Sequence, residues 1–261
     1  MFDFHMHSRV SFDGRDNAAN MVKAAQKAGL KEICFTDHRD YDPLDPNHKL
    51  AFDITIYNNE YDGLQLQDIK IRQGFEFGML PDNKAQFQKD IGLRNWDFVI
   101  GSVHFVDGLD VYFPKYWENK TPYQAIVHAF EEMLTCVKVH DDFDALGHLT
   151  YLAKTAGNPE KTPILYHDYR EAVDEILKVL AEKGKGLEVN TSGMDACGAY
   201  LPGVEYLHRF KELGGEIVTV GSDAHHSNRV GQYCREACQL VQEIFGHVCT
   251  FDGRKPVFHT L

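Results

Sequence analysis

Short apolar segments that end in polar residues recur along the chain, and this pattern constrains the fold more than any other feature. Seven such segments are rich in β-branched and aromatic residues, a composition that favours β-strands. They lie at 2–7, 33–38, 69–76, 98–104, 143–148, 186–192 and 217–225. Most of them end in a histidine or an acidic residue. Because parallel barrels place their active sites at the carboxyl ends of their strands, the pattern predicts a parallel sheet that gathers these side chains at one end.

Segments with helical periodicity separate the predicted strands. They lie at 16–29, 121–137, 168–184, 203–214 and 227–245. Asp16 is expected to cap the first of these helices, and Thr121 with Gln124 has the pattern of a capping box at the start of the second. Alternating strands and helices predict a parallel α/β fold, and the number of repeats favours a barrel over an open sheet.

The length of 261 residues fits one α/β barrel, and no linker or low-complexity stretch divides the chain. We therefore expect a single domain over residues 1–261. The least regular region, 39–68, is rich in Asp, Asn, Tyr and Pro and is predicted to be a long loop near the site. The last segment, 247–261, is expected either to add a short strand or to pack against the barrel.

The composition argues against nucleic-acid and membrane partners and predicts the cellular compartment. A net charge of −12 without a Lys/Arg run argues against general nucleic-acid binding. No apolar segment reaches the length of a membrane span, and the N-terminus shows no secretion signal. The six cysteines form no CxxC pair, which favours reduced thiols. These features predict a cytoplasmic protein without nucleic-acid or membrane partners, and they leave the oligomeric state open.

His5 and His7 stand one residue apart in the first predicted strand, and Asp13 follows shortly after. Alternation along a strand places the two histidines on the same side. Neutral imidazole is a common ligand of zinc, manganese and iron. A single histidine at a strand end is more simply explained as a hydrogen-bonded core residue. The recurrence of such residues at several strand ends instead favours a divalent metal centre.

Six short motifs follow one another at the predicted strand ends. They are His5-Met6-His7, Thr36-Asp37-His38, Gly74-Phe75-Glu76, Gly101-Ser102-Val103-His104, Gly147-His148 and Gly221-Ser222-Asp223-Ala224-His225. Their order resembles that of the polymerase and histidinol phosphatase (PHP) family, from residue 3 to about 226. Within the family, the length and the segment 187–193 are most similar to the histidinol-phosphate phosphatases. The resemblance implies a distorted (β/α)7 TIM-like barrel that holds two or three divalent ions.

The resemblance also implies a ligand role for nine side chains. Carried over by position, they are His5, His7, Glu76 and Asp223 at a first metal, Glu76, His104 and His148 at a second, and Asp13, His38 and His225 at a third. Glu76 would bridge the first two ions. Mixed nitrogen and oxygen ligands of this kind fit zinc, manganese or iron better than calcium.

The implied activity is metal-dependent hydrolysis of a small phosphate monoester, with L-histidinol phosphate as the expected substrate. In such clusters a hydroxide that bridges two cations attacks phosphorus in line with the leaving alkoxide. Asp13 or His225 is expected to act as the general acid. Residues near the strand ends are candidates for contacts with the substrate, namely Arg9, Arg39, Lys154, Asn190, Ser192 and Arg229.

Three other interpretations stay open. A PHP-type phosphoesterase could act on a nucleotide, a sugar phosphate or phosphotyrosine, and Lys154 and Met194-Asp195 stand where histidinol-phosphate phosphatases tend to carry arginine. A non-catalytic metal-binding module is disfavoured, because every expected ligand position holds a competent residue. An amidohydrolase-like barrel is disfavoured as well, because such enzymes commonly use a bridging lysine and this chain offers Glu76.

Overall fold

Eleven strands form in the part of the chain that the computed structural model describes, residues 1–45, 47–64 and 68–261. They are β1 (Phe2–Met6), β2 (Glu32–Arg39), β3 (Lys70–Gly78), β4 (Phe98–Ser102), β5 (Phe105–Val106), β6 (Leu109–Asp110), β7 (Ala145–Leu146), β8 (Gly186–Asn190), β9 (Val218–Gly221), β10 (Val248–Asp252) and β11 (Lys255–His259). Strands β1, β2, β3, β4, β7, β8 and β9 pair in this order as one parallel sheet. All seven predicted strands are confirmed, although β7 is only two residues long.

The two edges of the sheet meet at the carboxyl ends of β1 and β9. The backbone N–H of His7 donates to the carbonyl of Ala224 at 2.8 Å, and that of Asp223 donates to the carbonyl of His5 at 2.7 Å. Gly221 permits this approach, because a Cβ at its position would lie 2.2 Å from the Cβ of His5. The sheet is therefore a nearly closed barrel, which confirms the predicted distorted (β/α)7 architecture.

Nine α-helices form in the described ranges, most of them between successive strands. They are α1 (Ala18–Lys27), α2 (Ile54–Tyr61), α3 (Lys84–Ile91), α4 (Pro114–Trp117), α5 (Pro122–Val139), α6 (Tyr166–Glu182), α7 (Gly193–Cys197), α8 (Val204–Glu212) and α9 (Cys234–Phe245). The predicted capping box at α5 is confirmed, since Thr121 and Gln124 each accept the other's backbone N–H. None of these helices is long and apolar enough to cross a membrane.

The first helix begins one residue later than the sequence pattern predicted. Asn17 is its cap, with an extended backbone and a side-chain oxygen that accepts from the N–H of Asn20 at 2.8 Å. The carboxylate of Asp16 instead accepts from the N–H of Ser227 at 2.7 Å. The prediction that Asp16 caps this helix was wrong, because Asp16 joins two loops at the carboxyl end of the barrel.

The region 39–68 is not the long loop that its composition predicted. It contains α2, and the side chain of Asp53 accepts two backbone N–H groups of the first turn. The ring of Tyr57 on this helix is fully buried in the core. Positions 46 and 65–67 of the region lie outside the described residues. The loop prediction was wrong for α2, because polar composition hides the buried aromatic side of a short helix.

The segment 227–245 is divided, although its periodicity predicted one helix. A short 3-10 turn at Ser227–Arg229 comes first. Tyr233 then adopts a left-handed backbone with φ +59°, and α9 begins at the next residue. A non-glycine residue in that conformation cannot continue a right-handed helix, so the prediction was correct only for the second part.

Strands β10 and β11 form an antiparallel hairpin at the end of the described chain. The ring of Phe251 lies 4.8 Å from that of Phe98, the first residue of β4. The hairpin therefore packs on the amino-terminal end of the barrel, opposite the end where the predicted site lies. The expectation of a strand in 247–261 and the expectation of packing against the barrel are both confirmed.

Candidate metal centre

His5 and His7 lie side by side at the carboxyl end of β1, and both are fully buried. Their Nε2 atoms are 3.1 Å apart. The Oε2 atom of Glu76 lies 3.1 Å from Nε2 of His5 and 3.5 Å from Nε2 of His7. The Oδ1 atom of Asp223 lies 3.6 and 3.4 Å from the same two nitrogens. Two imidazoles and two carboxylates therefore converge on one point.

Glu76 faces a second group of histidines through its other oxygen. Its Oε1 atom lies 2.8 Å from Nε2 of His148 and 3.4 Å from Nε2 of His104. Those two nitrogens are 3.4 Å apart. The hydroxyl of Ser102 donates to the same Oε1 at 2.6 Å and holds the carboxylate in place. Glu76 is therefore shared between two groups of potential ligand atoms.

A third group lies nearer the solvent. The rings of His38 and His225 stack on the ring of His7, with centroids 4.3 and 4.1 Å away. The Oδ2 atom of Asp13 lies 3.1 Å from Nε2 of His225 and 3.7 Å from Nε2 of His38. The structure thus brings together all nine side chains to which the resemblance assigned a metal.

Two carboxylates that the sequence analysis did not single out orient the histidines. The Oδ1 atom of Asp40 lies 3.0 Å from Nδ1 of His104, within hydrogen-bonding distance. The Oε1 atom of Glu188 lies 2.6 Å from Nδ1 of His5. Carboxylates in this position fix the tautomer and the ring orientation of metal-binding histidines. In the sequence, Glu188 is detectable as a single charge inside the apolar strand β8.

The crowded charges set the protonation of these side chains. Burial lowers the pKa of His5, but the carboxylates of Glu188 and Glu76 outweigh burial and hold that pKa well above its ordinary value. Burial and the neighbouring histidines lower the pKa of His7 to about 3. Burial opposes a charge on Glu76, but the surrounding histidines hold its pKa well below the usual range. At neutral pH, His7 is therefore neutral and Glu76 ionised, the forms that bind metals.

The donor atoms fit divalent cations. Four sets of three histidine or carboxylate atoms, each within 4.8 Å of one another, lie among the described residues. The Nδ1 atom of His38 is buried without a hydrogen-bond partner, although two carboxylates lie within 3.3 Å of it. A buried polar atom without a partner is costly, and a cation held by these groups would relieve that cost. Imidazole and carboxylate together suit zinc, manganese or iron.

A cavity of about 450 Å³ opens above this centre. Its wall comes mainly from loops, and its floor consists of Asp13, His38, Asp40, Glu76, His104, His148, Asp223 and His225. The wall includes Arg15, Leu50, Asp110, Tyr112, Phe113 and Tyr151. The volume is that of a small-molecule site. Sequence reasoning missed these wall residues, because they lie in loops and between short strands without a recognisable motif.

Lys154 and Ser192, two predicted substrate contacts, lie next to the centre. The Nζ atom of Lys154 is 2.5 Å from Oδ2 of Asp223 and donates to the hydroxyl of Ser192 at 2.7 Å. Asp223 has a left-handed backbone with φ +55°, a rare conformation that is found at functional positions. Asn190 is buried and accepts from the hydroxyl of Ser192 at 2.6 Å. Lys154 lines the cavity, whereas Ser192 and Asn190 support it from behind.

Two of the predicted arginine contacts form ion pairs away from the cavity. The guanidinium of Arg9 lies 2.7 Å from the carboxylate of Glu60. Arg229 pairs with Asp195, the residue that would repel phosphate if it faced the site. The structure places neither arginine on the cavity wall.

Arg39 also lies outside the cavity, although it follows His38 at the end of β2. Successive side chains of a strand point to opposite faces, so His38 faces the centre and Arg39 faces the surrounding helices. Its guanidinium lies 2.7 Å from the carboxylate of Asp90 on α3, and both side chains are buried. The structure therefore gives Arg39 a role in packing a helix on the barrel.

A parallel barrel with histidines and carboxylates at the carboxyl ends of its strands defines a class of metal-binding α/β barrels. The PHP domain family matches residues 3–192, well over half of the chain. The chain belongs to this family. The resemblance inferred from the six motifs is therefore confirmed.

Relatives and solved structures agree with this assignment. A histidinol-phosphatase of Lactococcus lactis subsp. lactis (strain IL1403) is 32% identical over 258 residues, which cover 97% of this chain and 95% of the relative. A crystal structure of histidinol phosphate phosphatase from Lactococcus lactis subsp. lactis Il1403, complexed with zinc, L-histidinol and phosphate, is 31% identical with a TM-score of 0.88 and covers 98% of both chains. A structure from Listeria monocytogenes shares the fold, with 18% identity, a TM-score of 0.72 and coverage of 90% of this chain and 99% of that chain.

Proposed function

We propose that this chain is a metal-dependent phosphatase that hydrolyses L-histidinol phosphate to L-histidinol and inorganic phosphate. The observation that carries the proposal is the convergence of nine histidines and carboxylates, seven of which line the floor of one cavity. The Lactococcus structure that resembles this chain at a TM-score of 0.88 contains zinc, L-histidinol and phosphate. A cavity of about 450 Å³ accommodates a small phosphate ester.

The proposed catalytic unit is a single domain over residues 1–261. The family match ends at residue 192, yet Asp223 and His225 beyond it complete the cluster around His7. The hydrogen bonds between the ends of β1 and β9 support this unit, because they bring those residues to the first strand.

Two or three divalent ions are assigned to the centre. The residues that would hold them are His5, His7, Glu76 and Asp223, then Glu76, His104 and His148, and finally Asp13, His38 and His225. Bound zinc, manganese or iron would supply Lewis-acid stabilisation of the phosphoryl oxygens and a water of lowered pKa. Glu188 and Asp40 keep the imidazole rings of His5 and His104 in place for this task.

Two positively charged side chains on the cavity wall, Lys154 and Arg15, orient the phosphoryl group. Lys154 is held by Asp223 and Ser192 and presents a point charge. Arg15 is fixed through its backbone N–H, which donates to the carbonyl of His225 at 3.0 Å. No carboxylate of the described residues pairs with the Arg15 side chain, so its guanidinium is available for a bidentate contact with phosphate.

In the two-ion form, in which Asp13 and His225 hold no metal, one of these two side chains delivers the proton to the leaving oxygen. The Nδ1–H group of His225 donates to the carbonyl of Asp223 at 2.9 Å, which turns Nε2 toward Asp13 at 3.1 Å. Both side chains line the cavity, so a proton carried by either one would face the bound ester. The alkoxide leaves as an alcohol when it takes this proton.

Phosphate release from L-histidinol phosphate tests the proposal. The protein is loaded with manganese or zinc and compared on this ester and on a panel of sugar, nucleotide and tyrosine phosphates. We expect a kcat/KM of about 10⁴ M⁻¹s⁻¹ or more for L-histidinol phosphate, well above the panel. Faster turnover of another ester would contradict the proposed substrate. Bound metal without turnover of any ester would contradict the proposed phosphatase activity.

A further inference from the structure

Five carboxylates line the cavity, and four of them already have cationic or histidine partners. Those four are Asp13, Asp40, Glu76 and Asp223 of the metal centre. Asp110 on the wall is the exception, since no lysine, arginine or histidine of the described residues forms an ion pair with it. A carboxylate without a cationic partner in a ligand cavity is available to a positively charged ligand.

Asp110 is held in a fixed position beside the centre. It ends β6, which pairs with β5 so that Asp110 lies opposite Phe105. The N–H of Val111 donates to the carbonyl of His104 at 2.9 Å. The Oδ1 atom of Asp110 accepts from the N–H of Tyr112 at 2.8 Å. No donor within the described ranges reaches Oδ2, so one carboxylate oxygen is open to the cavity.

Aromatic rings flank this carboxylate. Tyr112 is 39% exposed and Phe113 is 54% exposed, although both line the cavity. Large aromatic side chains are more often buried, and exposed ones around a cavity mark ligand surfaces. Aromatic faces attract organic cations, and a carboxylate among them adds a charged hydrogen bond. The wall therefore has the chemistry of a subsite for an ammonium or imidazolium group.

We propose that Asp110 binds the positively charged leaving group of the substrate and so selects phosphate esters of cationic amino alcohols over uncharged esters. This inference rests on the proposed function, because L-histidinol phosphate carries an ammonium group and an imidazole away from its phosphate. The metal centre would hold the phosphate at the floor of the cavity, and Asp110 would hold the other end at the wall. Asp110 is thereby a specificity residue and takes no part in the chemical step.

The charges around Asp110 support this role. Burial raises its pKa, the N–H of Tyr112 and the imidazole of His104 oppose this rise, and the carboxylates of Asp40 and Asp42 add to it. A carboxylate in such surroundings is stabilised by an added cation. A substrate with a positive charge gains from this contact, and an uncharged ester does not.

The test compares Asp110→Asn with Asp107→Asn. Asp107 lies in the same hairpin and has the same charge, but its side chain is exposed, contacts His128 at 2.8 Å and does not line the cavity. Each metal-loaded variant is assayed on L-histidinol phosphate and on phenyl phosphate, which is aromatic but carries no cation. We expect Asp110→Asn to lower the ratio of the two kcat/KM values about 10- to 100-fold, mainly through KM. Asp107→Asn is expected to leave the ratio within about twofold.

Product inhibition gives a second readout that does not depend on turnover. Asp110→Asn is expected to weaken inhibition by L-histidinol about 10-fold and to leave inhibition by inorganic phosphate unchanged. Asp110→Glu keeps the charge and is expected to retain part of the preference. If Asp110→Asn slows both esters equally, or if inhibition by L-histidinol is unchanged, the inference is wrong.

The same data separate this inference from the proposed function. If the wild-type protein prefers L-histidinol phosphate and Asp110→Asn keeps that preference, the role of Asp110 fails and the proposed function stands. If the wild-type protein prefers phenyl phosphate, the proposed function fails and the selection of cationic esters fails with it.

Discussion

The metal centre and the wall of the cavity above it hold their charges in different ways. In the centre, His5, His7 and Glu76 are fully buried and lie within 3.5 Å of one another. On the wall, Arg15 and Asp110 have no oppositely charged partner among the described residues. Paired buried charges define a single geometry, whereas unpaired charges are free to meet a ligand. The centre is therefore expected to determine whether the reaction occurs, and the wall to determine which ester reacts.

Glu76→Gln is expected to have the largest effect of any single change. Glutamine loses the charge that faces both groups of histidines, so we expect kcat to fall at least ~1000-fold, with a loss of bound metal. Steady-state kinetics and elemental analysis of the purified protein measure both effects. Glu32→Gln is the control, because Glu32 is a buried carboxylate at the other end of the barrel that binds Arg72 at 2.7 Å. Full metal content and full activity in Glu76→Gln would contradict the proposal that the Glu76 carboxylate is shared between two metal sites.

Arg39→Met tests whether this arginine belongs to the wall or to the packing of the barrel. The change leaves the buried carboxylate of Asp90 without its partner at 2.7 Å. We expect a loss of about 3 kcal/mol in the free energy of unfolding, with kcat/KM within about twofold of the wild type. Urea unfolding and steady-state kinetics are the measurements. Arg9→Met removes a pair in which the arginine is 61% exposed, and it is expected to cost about 1 kcal/mol. If Arg39→Met raises KM for all phosphate esters, Arg39 contributes to substrate binding and the packing role is not its only one.

Glu188→Gln tests whether metal binding depends on the hydrogen bond that orients the ring of His5. The side chain fixes Nδ1 of His5 at 2.6 Å, and its loss lets the ring turn. We expect metal affinity to fall about 10- to 100-fold. Competition with a chelator measures the affinity. Glu182→Gln, an exposed change of the same charge on α6, is the control. Equal affinity in both variants would show that His5 is positioned without Glu188.

Arg15→Gln measures the contribution of the wall to phosphate binding. We expect KM for every phosphate ester to rise about 10-fold with kcat nearly unchanged, since a charged hydrogen bond to the phosphoryl group is lost. Arg9→Gln, six positions earlier, is the matched control because Arg9 pairs with Glu60 outside the cavity. Similar KM values in the two variants would remove Arg15 from the phosphate subsite.

The smallest expected effect concerns a surface carboxylate far from both regions. Hydrogen bonds from Lys183 and Lys84 lower the pKa of Asp141 to about 2. A lowered folded-state pKa adds stability above the unfolded value near 3.8, and this stability is lost as the pH falls from about 4 to 2. Asp141 is mostly exposed, so Asp141→Asn is expected to cost only about 0.2–1 kcal/mol at pH 7. Urea unfolding at pH 7 and pH 3 measures this difference, which we expect to shrink at pH 3. A constant difference would contradict the assignment.

The centre could be predicted from the sequence because parallel strands end at the same edge of a barrel. A histidine or carboxylate at a strand end is therefore placed by topology alone, as for His5, Glu76 and His148. Position at a strand end does not by itself predict a contact with the site, because Arg39 follows His38 but lies on the opposite face of β2.

The wall was not predictable in the same way. Arg9 and Arg15 belong to one loop and have the same chemistry, and only their contacts distinguish them. Asp110 lies in a pair of two-residue strands that no periodicity reveals. The positions of such residues depend on tertiary contacts, which local sequence patterns do not encode.

The pairing of β1 with β9 also has a consequence for how the chain folds during its synthesis. The hydrogen bond between Ser222 and Asp3 joins residues 219 positions apart. Contacts of such separation are slow to form, because the entropy of closing the chain must be overcome first. A ribosome-bound fragment that lacks Asp223 has the first two histidines but not the carboxylate that faces them. Metal binding is therefore expected to depend on the pairing of β1 with β9, because Asp223 reaches the two histidines only when these strands have met.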